Sequence, residues 1–294
     1  MNKSDTRVVR QAFGGGRWFP GREGELRRMV EGFISGAAAP SVTGRIVAAI
    51  SPHAGYVYSG PVVGHAFRAI KENAASAGGP DVVVVLGFSH RGGFRGLALM
   101  DGDALTTPLG ELVLDKAAAE KMIKSGRNVR FMYDPHQGEH SAENEVPFVQ
   151  VALPKTPAVV GLFGDHDEAT LTGASQALVE LAKEKKVLVV ASTDLLHDAD
   201  YDKVTKTDAA TLKQIAALDD QALIMGWSGA NQTCCGLMPV LTAIRFARAQ
   251  GAAAGQVVRY RNSGDDHPES RGQWVVGYGA VVFAAGTRDR GDAK

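Results

Sequence analysis

The chain has 294 residues, with 32 basic residues balanced by 32 acidic ones and 45% hydrophobic residues. That length holds one large α/β domain or two smaller ones, and zero net charge without a basic block makes nucleic acid or a charged membrane surface a poor partner. No apolar run approaches the roughly 20 residues that span a bilayer, and the polar start Met1-Asn2-Lys3-Ser4-Asp5 lacks the apolar stretch of a secretory signal, so the expectation is a soluble cytoplasmic protein.

Residues 1–16 read as a polar lead-in ending in Gly14-Gly15-Gly16. Arg17-Trp18-Phe19-Pro20 follows, an aromatic pair suited to plugging a core edge or roofing a pocket. Residues 23–35 carry Leu26, Met29, Val30 and Phe33 on one helical face. Residues 45–50 form a short apolar run read as a buried strand, which leads into Ser51-Pro52-His53-Ala54-Gly55-Tyr56-Val57-Tyr58. After Pro61, residues 62–73 have a helical pattern in which His65 reads as a packing or surface histidine. Residues 82–86 open on an unbroken valine run, as expected when both faces are covered, and end in Gly87-Phe88-Ser89-His90. Short extended pieces fill 97–114, and a helix is expected at 115–124.

Residues 134–147 are the most polar stretch between apolar elements. Ser141 is a candidate helix cap, but Asn144 three residues later leaves the capping box incomplete. Glu139, His140 and Glu143 fall together at what reads as a helix start, with His140 and Glu143 on one face if the segment is helical. A helix at 148–153, a strand at 158–163 and a helix at 168–183 follow, with Asp165-His166-Asp167 between the last two read as a solvated loop. A strand at 187–191 delivers Asp194 and His197. Residues 201–217, 219–226 and 237–249 read as helices, and 256–261 and 274–284 as strands. His136 and His267 are expected to be exposed in polar loops. The charged tail 286–294 is expected to fray, and without a repeat or linker the chain reads as one domain, 1–294.

Alternating strands and helices argue a layered, wound α/β sheet with helices on both faces. If the strands at 46–50, 82–86 and 187–191 are parallel neighbours, His53, His90 and His197 open at one rim, at the carboxyl ends of the strands where such folds collect ligands. A lone histidine after a strand is more often a satisfied hydrogen-bonding group; three at one rim shift the balance. Cys234 and Cys235 are the two cysteines of the chain. Adjacent cysteines make a strained ring, so reduced thiols are expected, with Cys234 packed inward. Cys235 just precedes a helix, which predicts a lowered thiol pKa. A thiolate with neutral imidazoles is a ligand set for a first-row metal, with Asp194 a further ligand or the carboxylate that orients an imidazole.

Together, Ser-Pro-His53-Ala-Gly-Tyr-Val-Tyr58-Ser-Gly, Gly-Phe-Ser-His90, Glu-His140-Ser-Ala-Glu143, Ser-Thr-Asp194-Leu-Leu-His197 and Thr-Cys-Cys235-Gly resemble the Memo family. Arg17-Trp18-Phe19-Pro20, Tyr-Arg-Asn-Ser263-Gly-Asp265 and Val-Val-Gly-Tyr-Gly-Ala at 275–280 fit its microbial members, the AmmeMemoRadiSam system protein B type. The resemblance covers almost the whole chain and implies a fold similar to class III extradiol ring-cleavage dioxygenases, which use non-haem iron. It implies His53, His90 and Cys235 as metal ligands, and His197 with Asp194 as the catalytic polar groups across the pocket. Trp18, Tyr58 and His140 would contact substrate, with Glu139 and Glu143 behind them. It further implies iron(II) first and copper or zinc next, and radical-SAM and Amme-type proteins as partners.

The dioxygenases carry a carboxylate where Cys235 stands, so a softer site is expected and catechol ring opening is in doubt. Glu145 stands where the family more usually has glutamine, and Leu196 where it has a small polar residue. Three functions remain open: a mononuclear iron or copper redox or dioxygenase-like enzyme, with His197 shuttling a proton near neutral pH; a module binding a peptide or small ligand without turnover; and a zinc hydrolase.

Overall fold

Three apolar runs set the centre of the fold. In the computed structural model, which describes residues 6–38 and 40–286, the first half runs β1 (Val9–Gln11), α1 (Glu23–Gly36), β2 (Arg45–Ser51), α2 (Tyr56–Ala77), β3 (Val82–Phe88), β4 (Leu97–Leu99), β5 (Ala104–Thr107), β6 (Gly110–Val113), α3 (Lys116–Ser125) and β7 (Val129–Phe131). The second half runs α4 (Val146–Ala152), β8 (Ala158–Phe163), α5 (Glu168–Leu181), β9 (Val187–Ser192), β10 (His197–Asp198), α6 (Tyr201–Ala216), α7 (Asp220–Gly226), α8 (Leu237–Ala249), β11 (Gly255–Asn262), α9 (Ser263–Asp266) and β12 (Val275–Ala285). The expected frayed tail, beyond Gly286, lies outside the described residues, as do residues 1–5.

Among the described residues the main sheet has nine strands, eight in the order β10-β12-β2-β9-β3-β8-β4-β7 and β11 also paired with β12. β2, β9, β3 and β8 are parallel, in that spatial order. The three strands read from sequence as neighbours are therefore adjacent, and their carboxyl ends share one rim.

Side-chain alternation explains why these strands are apolar throughout. Val82, Val84 and Leu86 enter one core with Val187, Val189 and Ala191. Val83 and Val85 enter the opposite core with Leu188 and Val190. Helices α5 and α8 cover the first face, and α1, α2 and α4 cover the second. Both faces are thus dry, the condition under which parallel sheets form.

Several boundaries differ from the sequence reading. Helix α2 begins at Tyr56, six residues before the expected start, and passes through Pro61. Proline forfeits one hydrogen bond there, but the preceding turn buries Tyr56, Ser59 and Gly60. Gly60 and Gly64 let α1 approach, since a Cβ at either would lie 2.3 or 2.4 Å from Phe33 atoms. Part of the lead-in is regular: β1 pairs in parallel with β5 in a separate three-stranded sheet. Ser141 caps no helix. Its hydroxyl donates to the Phe88 carbonyl at 2.9 Å, and a short 3-10 turn at Glu143–Glu145 precedes α4. No helix among the described residues is long and apolar enough to cross a membrane.

On the far side of β12, Asp208 of α6 is buried and accepts hydrogen bonds from the Leu196 N–H at 3.0 Å and the Tyr260 hydroxyl at 2.9 Å. Gly277 gives it room, because a Cβ there would lie 1.8 Å from Asp208 Oδ2. Burial raises the carboxyl pKa from 3.8 to about 7, against the two hydrogen bonds. The folded state therefore holds a proton that the unfolded chain releases, so this stabilising contribution is full below pH 3.8 and is lost as pH rises through about 7. Asp208→Asn is expected to flatten the fall in stability between pH 5 and 7, read as urea midpoint against pH. A slope equal to that of the parent protein refutes this account.

Candidate metal centre

Each histidine at the rim arrives on a turn whose backbone is held by a buried acid. After β2, the N–H groups of His53 and Ala54 donate to Asp194 Oδ1 at 2.8 and 3.2 Å. After β3, the His90 N–H donates to Glu139 Oε2 at 2.7 Å, and the His90 ring Nδ1 lies 3.0 Å from Glu139 Oε1. That same Oε1 accepts from the N–H groups of His140 and Ser141, each at 2.9 Å.

Glu139 is held well below the usual carboxylate range. Burial opposes this, but the His90 ring and the N–H groups of Ser141 and His90 outweigh it. In return the Glu139 hydrogen bond raises the His90 pKa. Asp194 has no such cationic contact. Burial lifts it to about 7, against the N–H groups of His53 and Ala54. Its Oδ1 therefore orients the His53 backbone, while the His53 ring is held elsewhere, with Nδ1 2.9 Å from Ser192 Oγ.

Three imidazoles converge. The ligand atoms of His53, His90 and His140 lie within 4.8 Å of one another. The His53 ring stands edge-on to both others, at 5.3 Å from His90 and 5.5 Å from His140 between centroids. His140 lies flat against Trp18, with centroids 3.8 Å apart and planes 3° from parallel. Burial drives the His53 pKa well below its ordinary value, and the charges of His90 and His140 add to this. Burial also lowers His140 to about 4. These two rings are therefore neutral near pH 7, the protonation state that ligation requires.

Cys235 lies outside that trio but touches it, with Sγ 3.3 Å from His53 Nε2. Two donors of one tetrahedral ion, with bonds of about 2.1 and 2.3 Å, sit roughly 3.5 Å apart, so this contact fits a shared ion. The Asp194 N–H also donates to Sγ at 3.3 Å. The thiol pKa is raised, contrary to the sequence expectation. Burial is the largest cause, with Asp194 and Cys234 adding to it, and the N-terminus of α8 does not offset them. Cys234 is fully buried, as expected.

His197 pairs with Val276 on β12 and lines the same cavity. Its Nε2 is buried with no hydrogen-bond partner among the described residues. Burial, followed by the charge of His90, lowers its pKa to about 4. This corrects the expectation of a group titrating near neutrality, and makes His197 a neutral base at pH 7. Leu196 turns away from the cavity to pack with Val204 and Val275.

The cavity has a volume of about 890 Å³, and its lining includes Trp18, Tyr58, His53, His90, His140, Asp194 and His197. Glu143 instead holds the segment carrying Trp18, accepting from the Gly14 N–H at 2.5 Å. The Gly14 carbonyl in turn accepts from the N–H groups of Arg17 and Trp18 at 2.9 and 2.8 Å. Of the two histidines expected to be exposed, His136 is buried, while the His267 side chain is 40% exposed at the mouth of the cavity. His267 lines the cavity, with its ring 5.2 Å from Tyr58. His136 is 3% exposed, with Nε2 3.1 Å from the Ala98 carbonyl. His166 stays exposed at the surface. The sequence reading missed Ser192, Trp274 and Tyr278. The last two lie on β12 or just before it, a strand read only as scaffold.

The fold and site define a wound α/β protein with one pocket lined by histidines at the carboxyl ends of its parallel strands. A family model described as "Memo-like protein" matches residues 10–282. MEMO1 family proteins of Methanopyrus kandleri and Methanothermobacter thermautotrophicus are each 31% identical, covering 92% of this chain and 97% and 99% of their own lengths. One from Nitrosopumilus maritimus is 27% identical over 94% of this chain and all of its own length. The chain belongs to the Memo family.

Replacing Glu139 by Gln removes the carboxylate that raises the His90 pKa. The His90 pKa of the metal-free protein is expected to fall, and its titration by NMR checks the direction. A value unchanged from the parent protein contradicts the role given to Glu139.

Proposed function

We propose that the protein is a metal-dependent enzyme in which His53, His90 and Cys235 hold one ion that activates a small substrate for redox or dioxygenase-like chemistry, with iron(II) the first ion and copper the second. The observation that carries this reading is the 3.3 Å approach of Cys235 Sγ to His53 Nε2. Two further imidazoles stand beside that contact, with His90 Nδ1 already engaged by Glu139. A bound ion supplies Lewis-acid or redox activation of an oxygen atom.

This chain's residues do the rest. His197, neutral at pH 7 and lining the cavity, accepts a proton from the substrate. Trp18, Tyr58 and Trp274 wall the cavity. Glu139 fixes the His90 ring, a role in which an outer carboxylate also raises ligand basicity.

The compactness of the three imidazoles supports a second reading, in which His140 replaces Cys235 as the third ligand. Three histidines and an open position suit zinc and hydrolysis. Metal analysis of protein purified without oxygen separates the two. On the first reading one iron or copper copurifies per chain, Cys235→Ala lowers its retention by roughly tenfold or more, and His140→Ala keeps it. The reverse pattern, with zinc as the copurifying ion, supports the second reading. Retention unchanged in Cys235→Ala overturns the first.

A further inference from the structure

Beneath His53 lies a group of buried polar side chains that the reading above does not use. Ser51 and Ser192 stand side by side at the ends of β2 and β9, and Glu145 lies against them from the turn before α4. All three are fully buried. Ser192 Oγ has three neighbours: the Ser141 carbonyl at 2.5 Å, His53 Nδ1 at 2.9 Å and Glu145 Oε1 at 3.2 Å.

Counting protons assigns the direction of each bond. A hydroxyl has one proton and two lone pairs. The Ser141 carbonyl only accepts, so the Ser192 hydroxyl donates its proton there. Ser192 must then accept from both other neighbours. His53 Nδ1 therefore carries a hydrogen, and so does Glu145 Oε1.

We propose that Ser192 and Glu145 are positioning residues for His53: neutral Glu145 donates to Ser192, Ser192 accepts from His53 Nδ1–H, and the Nε2 lone pair is thereby left facing the ion site. Two independent features of Glu145 agree with a neutral carboxyl. Its Oε2 has no hydrogen-bond partner among the described residues, a position costly for an anion. Burial raises its pKa to about 8. Without the donor at 145, the Ser192 hydroxyl gains freedom to turn and donate to Nδ1, which admits the Nε2–H tautomer that cannot ligate through Nε2.

The inference rests on His53 being a ligand, but its test does not need a metal. The nitrogen chemical shifts of ¹⁵N-labelled histidine report the His53 tautomer in the metal-free protein, for the parent chain, Glu145→Gln, Glu145→Leu and Ser192→Ala. The parent and Glu145→Gln, whose amide keeps a donor, are expected to show Nδ1–H. Glu145→Leu and Ser192→Ala are expected to populate Nε2–H and to weaken Co(II) binding, the probe ion, roughly 10–100-fold. A parent protein in the Nε2–H form overturns the proposal, as do Leu and Ala variants with unchanged tautomer and Co(II) affinity. If the parent binds no Co(II) but shows Nδ1–H, and the Leu and Ala variants lose it, the metal reading fails while this one stands.

Discussion

Four buried carboxylates holding backbone N–H groups are what the site depends on. Asp194 holds the turn of His53 and Ala54. Glu139 holds the turns of His90 and His140. Asp208 holds Leu196 beside His197, and Glu143 holds Gly14 ahead of Trp18. Each element that brings a ring to the cavity is thus tied by an acid from a distant part of the chain. A hydrogen bond to a charged group is worth about 1.5–3 kcal/mol, and ionised Glu139 accepts three from backbone N–H groups. Such turns cannot shift without exposing a buried carboxylate, so the rings stand on a stiff rim.

The four acids differ in charge for a physical reason. Glu139 has the His90 ring and three backbone N–H groups to itself, and stays ionised. Asp194, Asp208 and Glu143 have only neutral donors, so burial wins and each is pushed to about 7. The Glu139 carboxylate therefore stays charged directly behind His90, while burial keeps the rings of His53, His140 and His197 neutral.

Much of this was legible in the chain itself. The valine run at Val82–Val85 and its partners at 46–50 and 187–191 announce buried parallel strands, because only a sheet covered on both faces tolerates so unbroken an apolar sequence. Position after a strand placed His53, His90 and His197 at one rim. What each acid does was not legible. Asp194 was read as a ligand or catalytic group, and Glu139 and Glu143 as groups behind the substrate contacts; each also binds backbone, and spacing along the chain does not record a partner as remote as Gly14 is from Glu143. Solvent exposure was equally hidden for His136, since a polar stretch looks the same whether it lies open or folds back into the protein. The thiol of Cys235 failed for a related reason: a helix N-terminus is visible in sequence, but the burial that outweighs it is not.

The cavity joins two unlike walls. Its floor comes from the parallel strand ends, which the sheet fixes. Its roof comes from the two ends of the chain: Trp18 ahead of α1, and the segment from His267 to Trp274 between α9 and β12. The roof touches the floor through rings, Trp18 on His140 and Tyr58 against His267, and the segment carrying Trp18 is tied by Glu143 and by the Tyr56 N–H donating to the Trp18 carbonyl. The donor atoms thus stand on the strand ends, while the shape of what enters is set by the aromatic rings above them.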